Sequence, residues 1–405
     1  MKIKLIALAV AGAFVTPLAM ANGVTIYGQM GVSIDSVKGD NAVGSTVGGE
    51  RRTRVSSNNS RIGFKGTEDI NSDLSAIWQI EYAVQMDQQG YSQPQSSSDT
   101  QGAVSLRNTF VGLSSKRMGA LTLGTQEAPL KTSTAPLAVF NDTLADYRSV
   151  FTKLSTRSDN SILYTSPSLG GLVIRAMYGE RNEAGNDSLS DPRMWGASLV
   201  YSGGPFYATL AYEHNRNVTQ SVTAANGTFR CTATGVLYSA ASSAAAATLC
   251  GGAVTTVTAA TTASAGGVSS TAKAWRAGIG YTLMGNTKFG LAYENNDAET
   301  AAGANANDGH AWYASVSHRI GNITLAAAYT DRSDTGNGID DGAKQYTGGV
   351  EYAFSKRTSV YGLYTKVKND AAGTNNIGAA TGIATVSTVA GGDPSGFSLG
   401  MRHSF

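Results

Sequence analysis

The chain has 405 residues, with 31 basic and 29 acidic side chains, 48 glycines, 18 tyrosines, eight prolines and two cysteines. A balance this close to neutral, with no basic stripe, excludes a nucleic-acid binder. Beyond the N-terminus no stretch approaches the roughly 20 apolar residues of a spanning helix, which excludes a helical membrane protein and leaves two classes: a soluble exported protein, or one that crosses a membrane as strands.

The first element in the chain is an export signal. Lys2 and Lys4 precede an apolar run from Leu5 to Val15, and Ala19-Met20-Ala21 follows as a cleavage site. The run is too short for a transmembrane helix, Pro17 interrupts its end, and no stop-transfer charges follow. Residues 1–21 are therefore read as a signal peptide and 22–405 as the mature unit. Loss of the two lysines brings the basic count to 29, equal to the acidic count.

From Asn22 onward, apolar residues recur with period two over segments of about ten, as expected of strands with one apolar and one aqueous face. Trp275, Ala277, Ile279 and Tyr281 lie opposite Arg276, Gly278 and Gly280; Phe289, Leu291 and Tyr293 lie opposite Lys288, Gly290 and Glu294. At the end of the chain Phe397, Leu399, Met401, His403 and Phe405 oppose Ser398, Gly400, Arg402 and Ser404. A soluble sandwich would also alternate, so the connections must discriminate.

Seven connections read as tight: 69–73, 114–119, 167–171, 202–205, 283–286, 320–322 and 355–357. They alternate with eight longer polar segments near 37–58, 85–105, 127–160, 180–192, 216–272, 296–309, 332–343 and 367–394. Fifteen connections imply sixteen antiparallel strands, enough for a barrel with an aqueous lumen. Short turns at one end and long loops at the other are the transmembrane pattern. Tyr164, Tyr201, Phe206, Tyr281, Tyr352 and Phe354 fall at strand ends near the tight turns, as candidate interface aromatics. The segment 216–272 is rich in Ala, Ser and Thr and reads as an external loop. It holds Cys231 and Cys250, which in an oxidising compartment most simply form a disulfide, two free thiols being the alternative.

Several strings are specific. They are Val24-Thr-Ile-Tyr-Gly28, SRIGFKGTED from Ser60 to Asp69, AIWQIEY from Ala76 to Tyr82, RNTFVGL from Arg107 to Leu113, NSILYTSPSLGGL from Asn160 to Leu172, and the terminal Phe405. On these the mature chain resembles the trimeric general porins of β-proteobacteria, the neisserial porins among them. The resemblance implies an all-β, 16-stranded transmembrane barrel with an inward-folded third external loop. It implies a water-filled channel for passive transport of ions and small hydrophilic solutes. It also implies a homotrimer in contact with outer-membrane lipid and lipopolysaccharide, and delivery by periplasmic chaperones to an outer-membrane assembly machinery that reads Phe405.

A pore discriminates at its narrowest section, so inward ionisable residues near the constricting loop are the candidates. Segment 127–160 carries Glu127, Asp142, Asp146 and Asp159 against Lys131, Arg148, Lys153 and Arg157. Alternation places Arg61 and Lys65 inward beside Ile62 and Phe64, and Glu81 inward beside Ile80. The resemblance maps a basic cluster onto Arg61, Arg107 and Arg157. Arg107, however, shares parity with Val111 and Leu113, which would turn it to the apolar face. The expectation is a weak to moderate anion preference, which Glu81, Asp142 and Asp146 could reverse. A substrate-specific channel and a non-conducting adhesin are the rivals. No G-x-S-x-G, H-E-x-x-H or phosphate-loop string is present, and His214, His310, His318 and His403 form no ligand pattern, so neither catalysis nor a cofactor nor a metal is expected.

Overall fold

The computed structural model describes residues 22–39, 51–87, 104–152, 154, 157–180, 193–219, 227–231, 237–240, 250, 253–258, 268–299, 308–336, 338–378 and 389–405. The expected signal peptide, residues 1–21, lies outside the described residues, as does Lys153.

Sixteen antiparallel staves close into one ring. They are β1 (Asn22–Lys38), β2 (Arg51–Ser57 and Arg61–Asp69), β3 (Leu74–Val84), β4 (Val104–Leu106 and Thr109–Ser115), β5 (Gly119–Glu127), β6 (Arg157–Thr165), β7 (Leu172–Glu180) and β8 (Arg193–Gly203). The second half comprises β9 (Phe206–Thr219), β10 (Val268–Leu283), β11 (Thr287–Glu299), β12 (Gly309–Ile320), β13 (Ile323–Arg332), β14 (Ala343–Ala353), β15 (Thr358–Asn369) and β16 (Ser395–Ser404). Closure is made by β1 on β16, in register from Gln29 opposite Ser404 to Lys38 opposite Ser395. Backbone bonds between Gly28 and Phe405 extend the seam by one pair. A closed ring leaves no strand edge unpaired, which hydrocarbon demands. Among the described residues no helix is long and apolar enough to cross a membrane.

Side-chain parity follows the sequence. Trp275, Ile279, Leu291, Leu399 and Met401 are exposed on the outer face, while Arg276, Ala292 and Ser398, one residue away, are buried within the ring. The seven tight connections all join staves at one end of the barrel.

Register shifts interrupt the ladder between Asn22 and Thr25 on β1 and between Gly124 and Gln126 on β5, where it pairs with β6, and an extra residue bends β2 and β4 as well. Between the pairs Gln29–Arg61 and Val32–Ser57, β1 advances three residues and β2 four. Between the pairs Tyr82–Leu106 and Gln79–Phe110, β3 advances three and β4 four. Each is a bulge, which reverses side-chain parity along the stave. In β2 the extra residue is Asn59, at φ 52, a left-handed conformation that Asn tolerates better than most residues. The Ser60 hydroxyl bridges the break, accepting from Gly31 N and donating to Gly31 O.

These bulges explain where the sequence reading of loops is corrected. The first long loop was expected over 37–58, yet Arg51–Ser57 is strand; the bulge at 58–60 ends the visible period of two before the stave itself ends. The expected loop 216–272 also shortens, because β9 runs to Thr219 and β10 starts at Val268. Within it Gly227–Cys231 pairs with both Leu237–Ala240 and Val254–Thr258 in a small separate sheet.

Cys231 and Cys250 are joined by a disulfide, with their Cα atoms 5.7 Å apart. The closed loop of about 20 residues is stabilised by about 3 kcal/mol in the chain-entropy model. This small sheet is outside the barrel ladder, so C231S/C250S should leave barrel melting unchanged and speed protease cleavage of the loop. Melting in detergent with a timed trypsin digest checks this, and a lower barrel melting temperature would contradict it.

Candidate functional site

Among the described residues, the segment between β5 and β6 is the most buried part that is not strand. It contains α1 (Pro129–Ser133), a 3-10 turn (Ala135–Leu137) and α2 (Arg148–Phe151). Leu130, Leu144, Val150 and Phe151 are fully buried. Its partners are inward residues of distant staves. Tyr207 on β9 donates to Ser133 O, Ser315 on β12 to Leu137 O, Gln345 on β14 to Ala145 O and Arg402 on β16 to Asn141 O. The Tyr313 hydroxyl accepts from Val139 N. The segment therefore crosses the ring and lies along the far wall. Small wall residues make the room: a Cβ at Gly278 would sit 2.5 Å from Leu137 Cδ1, and one at Gly290 2.6 Å from Leu137 O.

One side chain holds this segment more firmly than any other. Arg276, 1% exposed, pairs with the fully buried Glu294. It also donates to Leu130 O, Thr134 Oγ1, Thr152 Oγ1 and Leu154 O, and its guanidinium lies 5.2 Å from the Phe151 ring centroid. Arg332 adds contacts to Phe151 O and Asn296 Oδ1.

On the near wall the charges gather in two groups. Glu127, at the end of β5, receives Arg157 at 2.8 Å, Lys131 at 3.2 Å and Arg107 at 3.8 Å. Arg107 also binds Glu81 at 2.6 Å, and Glu81 accepts from the Tyr27 hydroxyl. In the second group Asp142 receives Arg61 at 3.3 Å, Arg148 at 3.2 Å and Asn59 Nδ2 at 2.7 Å. Arg148 grips the buried Asp146 through both Nε and Nη2. Asn59 joins the groups, because its Oδ1 accepts from Arg107.

Arg107 therefore corrects the sequence reading. Parity counted from Val111 turned it to the apolar face; the extra residue in β4 resets the count, so exposed Leu106 points out and Arg107 points in. Both bulges thus supply the site, Asn59 from one and Arg107 with Asn108 from the other, and Asn108 Oδ1 accepts from Arg157 Nε. Of the candidates, Arg61, Glu81, Arg107, Glu127, Lys131, Asp142, Asp146, Arg148 and Arg157 come together. Lys65 does not: it is exposed, with its ammonium 5.1 Å from the Tyr27 ring centroid. Sequence reasoning missed Asn59, Asn108, Arg276, Glu294 and Arg402 as site residues. The inward parity of the last three was legible, but their height along the barrel was not.

Burial alone would raise the Asp142 carboxyl, but the Asn59 hydrogen bond and the Arg148 and Arg61 guanidinium groups outweigh it and hold it below the ordinary carboxylate range. Its ionised form is thus favoured by folding, and that stabilisation is present above the unfolded-state value and is lost as pH falls through the depressed one. Burial lowers Lys131, with Glu127 offsetting part of the effect. The five cations exceed the four carboxylates of the two groups by one. Arg175 and Arg402, bound to uncharged oxygens of Thr132 and Asn141, enlarge the excess.

The family model described as Gram-negative porin matches residues 7–372. A major outer membrane protein P.IB of Neisseria meningitidis serogroup B is 29% identical over 221 residues, covering 54% of this chain and 60% of that protein. One from Neisseria gonorrhoeae is 25% identical over 369 residues, covering 89% and 91%. The chain thus spans less than two thirds of the first relative and nearly all of the second. Among solved structures, an anion-selective porin from Comamonas acidovorans superposes with a TM-score of 0.67 at 20% identity, covering 95% of this chain and 99% of that one. OmpT of Vibrio cholerae, in a trimer form, gives 0.62 at 15% identity, with the same coverage. A ring of sixteen staves, apolar outside and polar within, together with a family match over most of its length, places this chain in the Gram-negative porin family.

Proposed function

We propose that the mature chain, Asn22–Phe405 after removal of residues 1–21, is a general diffusion porin that passes ions and small hydrophilic solutes through the outer membrane with an anion preference. The observation that carries this reading is the polar lumen, crossed by a clamped segment whose near-wall charges favour cations. A guanidinium excess at low-dielectric walls raises the local anion concentration. Arg61, Arg107, Lys131, Arg148 and Arg157 supply it, and Glu81, Glu127, Asp142 and Asp146 limit it. Liposome swelling with sugars of graded size tests the general-diffusion part: a rate set by size alone supports it, while one sugar exceeding its size class supports a substrate-specific channel instead.

The working unit in this proposal is a homotrimer. From β7 to β16 each stave carries one outward aromatic in a continuous band: Tyr178, Trp195, Tyr212, Trp275, Tyr293, Trp312, Tyr329, Tyr346, Tyr364 and Phe397. The exposed large apolar residues from Val24 to Leu123, on β1 to β5 and their turns, are all aliphatic or Met among the described residues. On this side outward aromatics are confined to Phe64, Trp78 and Tyr82 on β2 and β3, so the belt that marks contact with lipid headgroups is broken at β1, β4 and β5, which fits a face covered by protein. Val111→Arg on β4 should convert trimers to monomers, while Leu210→Arg on β9 leaves the trimer intact. Each costs about 2–4 kcal/mol at the bilayer midplane if lipid-facing. Band positions of unheated samples distinguish them, and equal behaviour would refute the assignment of faces.

Lipopolysaccharide, periplasmic chaperones and the assembly machinery are the partners this reading implies, with Phe405 as the recognised terminus.

A further inference from the structure

The inner wall between the crossing segment and the tight-turn rim carries cations that no ion pair consumes. Lys288, Arg319 and Arg402 have inward parity, beside the outward Phe289, Ile320 and Met401. Two cavities of about 450 and 550 Å³ lie here, one beneath residues 136–141 and the other above the turn 354–357. They share Thr324, Glu351 and Arg402 as walls, and Lys356 and Arg357 line the second. Glu351 is the one carboxylate lining them, and it forms no ion pair. Arg402 spends Nη2 on Asn141 O, while its buried Nε has no partner. Ser317, Thr324 and Ser359 add hydroxyl groups around the same space.

Chloride gains only a diffuse attraction from such an arrangement. A multiply charged oxyanion gains more, because each added charge multiplies the Coulomb term and each oxygen can take a charge-assisted hydrogen bond from a guanidinium or ammonium. We propose that this vestibule is a second anion site, on the tight-turn side of the crossing segment, that holds a small phosphate group through Lys288, Arg319 and Arg402 with the wall hydroxyls. The group is either inorganic phosphate or the headgroup of a small phosphomonoester. In a porin-type barrel the tight turns face the periplasm. The proposal rests on the pore reading only for that orientation and for access by water.

The test is equilibrium dialysis of the detergent-purified full-length mature protein against labelled inorganic phosphate and, separately, labelled glycerol 3-phosphate. Saturable binding of either is expected, with K288Q/R319Q weakening it roughly tenfold or more, as loss of charged hydrogen bonds predicts. Tighter binding of inorganic phosphate identifies the free ion as the ligand, and tighter binding of glycerol 3-phosphate identifies the monoester; both support the site. Absence of saturable binding overturns it. So does unchanged binding in K288Q/R319Q, whose exposed positions leave folding intact by heat-modifiability on gels. Binding abolished by R61Q/R157Q but not by K288Q/R319Q would put the anion on the near wall and also overturn it. Dialysis needs no ion flux, so a non-conducting protein that binds phosphate would refute the pore and leave this site standing.

Discussion

Replacing Arg276 by Met should cost about 3–5 kcal/mol of stability, because it leaves the buried Glu294 carboxylate without its partner. The effect on the lumen should be equally plain. Arg276 is the donor that ties the wall to the backbone oxygens of Leu130 and Leu154, at opposite ends of the crossing segment; their other donors, the Ser133 and Thr152 hydroxyls, belong to the segment itself. Without it, the ends keep the longer Arg175 contact to Thr132 and Arg332 contact to Phe151 O, beside neutral hydrogen bonds each worth about 1 kcal/mol. The segment should then fluctuate, and single-channel traces should show a raised mean conductance with open-channel noise. R276M/E294L should recover much of the lost stability, since the orphaned charge is gone, yet keep the noisy pore, since the tie from the wall to both ends of the segment is still missing. Denaturant melts and bilayer recordings on the three proteins check both halves. Quiet recordings from R276M would show that the segment is held by other contacts.

R61Q/R157Q should reduce the anion preference and E127Q should strengthen it. A unit charge about 8 Å from the passage in a watery lumen contributes about 0.5 kcal/mol to the energy of a permeating ion. Two lost cations therefore change chloride occupancy by about fivefold at low salt, and potassium occupancy by the same factor in the opposite sense. Screening shrinks both effects above about 0.1 M, where the Debye length is about 10 Å. Reversal potentials in a potassium chloride gradient measure the shift. Arg107 is a poorer choice for substitution, because its loss would free Glu81 as well as weaken the hold on Glu127.

The fold was legible because the barrel repeats one simple constraint. Lipid outside and water inside impose a period of two on every stave, and the tight connections punctuate it, so the strand count and the inward parity of Arg61, Glu81, Arg276 and Arg402 could be read directly. Reading failed where the backbone departs from that period. The bulge at Asn59 hid the first part of β2, and the bulge in β4 gave Arg107 the wrong face. Both irregularities lie at the charge cluster, where an extra residue re-aims side chains that strict alternation would send into lipid. The Arg276 clamp failed to register for another reason. Parity says that a residue points inward but not what it meets there, and its partners Leu130, Thr134, Thr152 and Leu154 are more than a hundred positions away in the chain.

The most direct trial of the whole account is to place the purified mature protein in a planar bilayer separating two potassium chloride concentrations. Discrete conductance steps, with a reversal potential on the chloride side of zero, are the predicted result. A protein that inserts into the bilayer yet carries no current would contradict the pore.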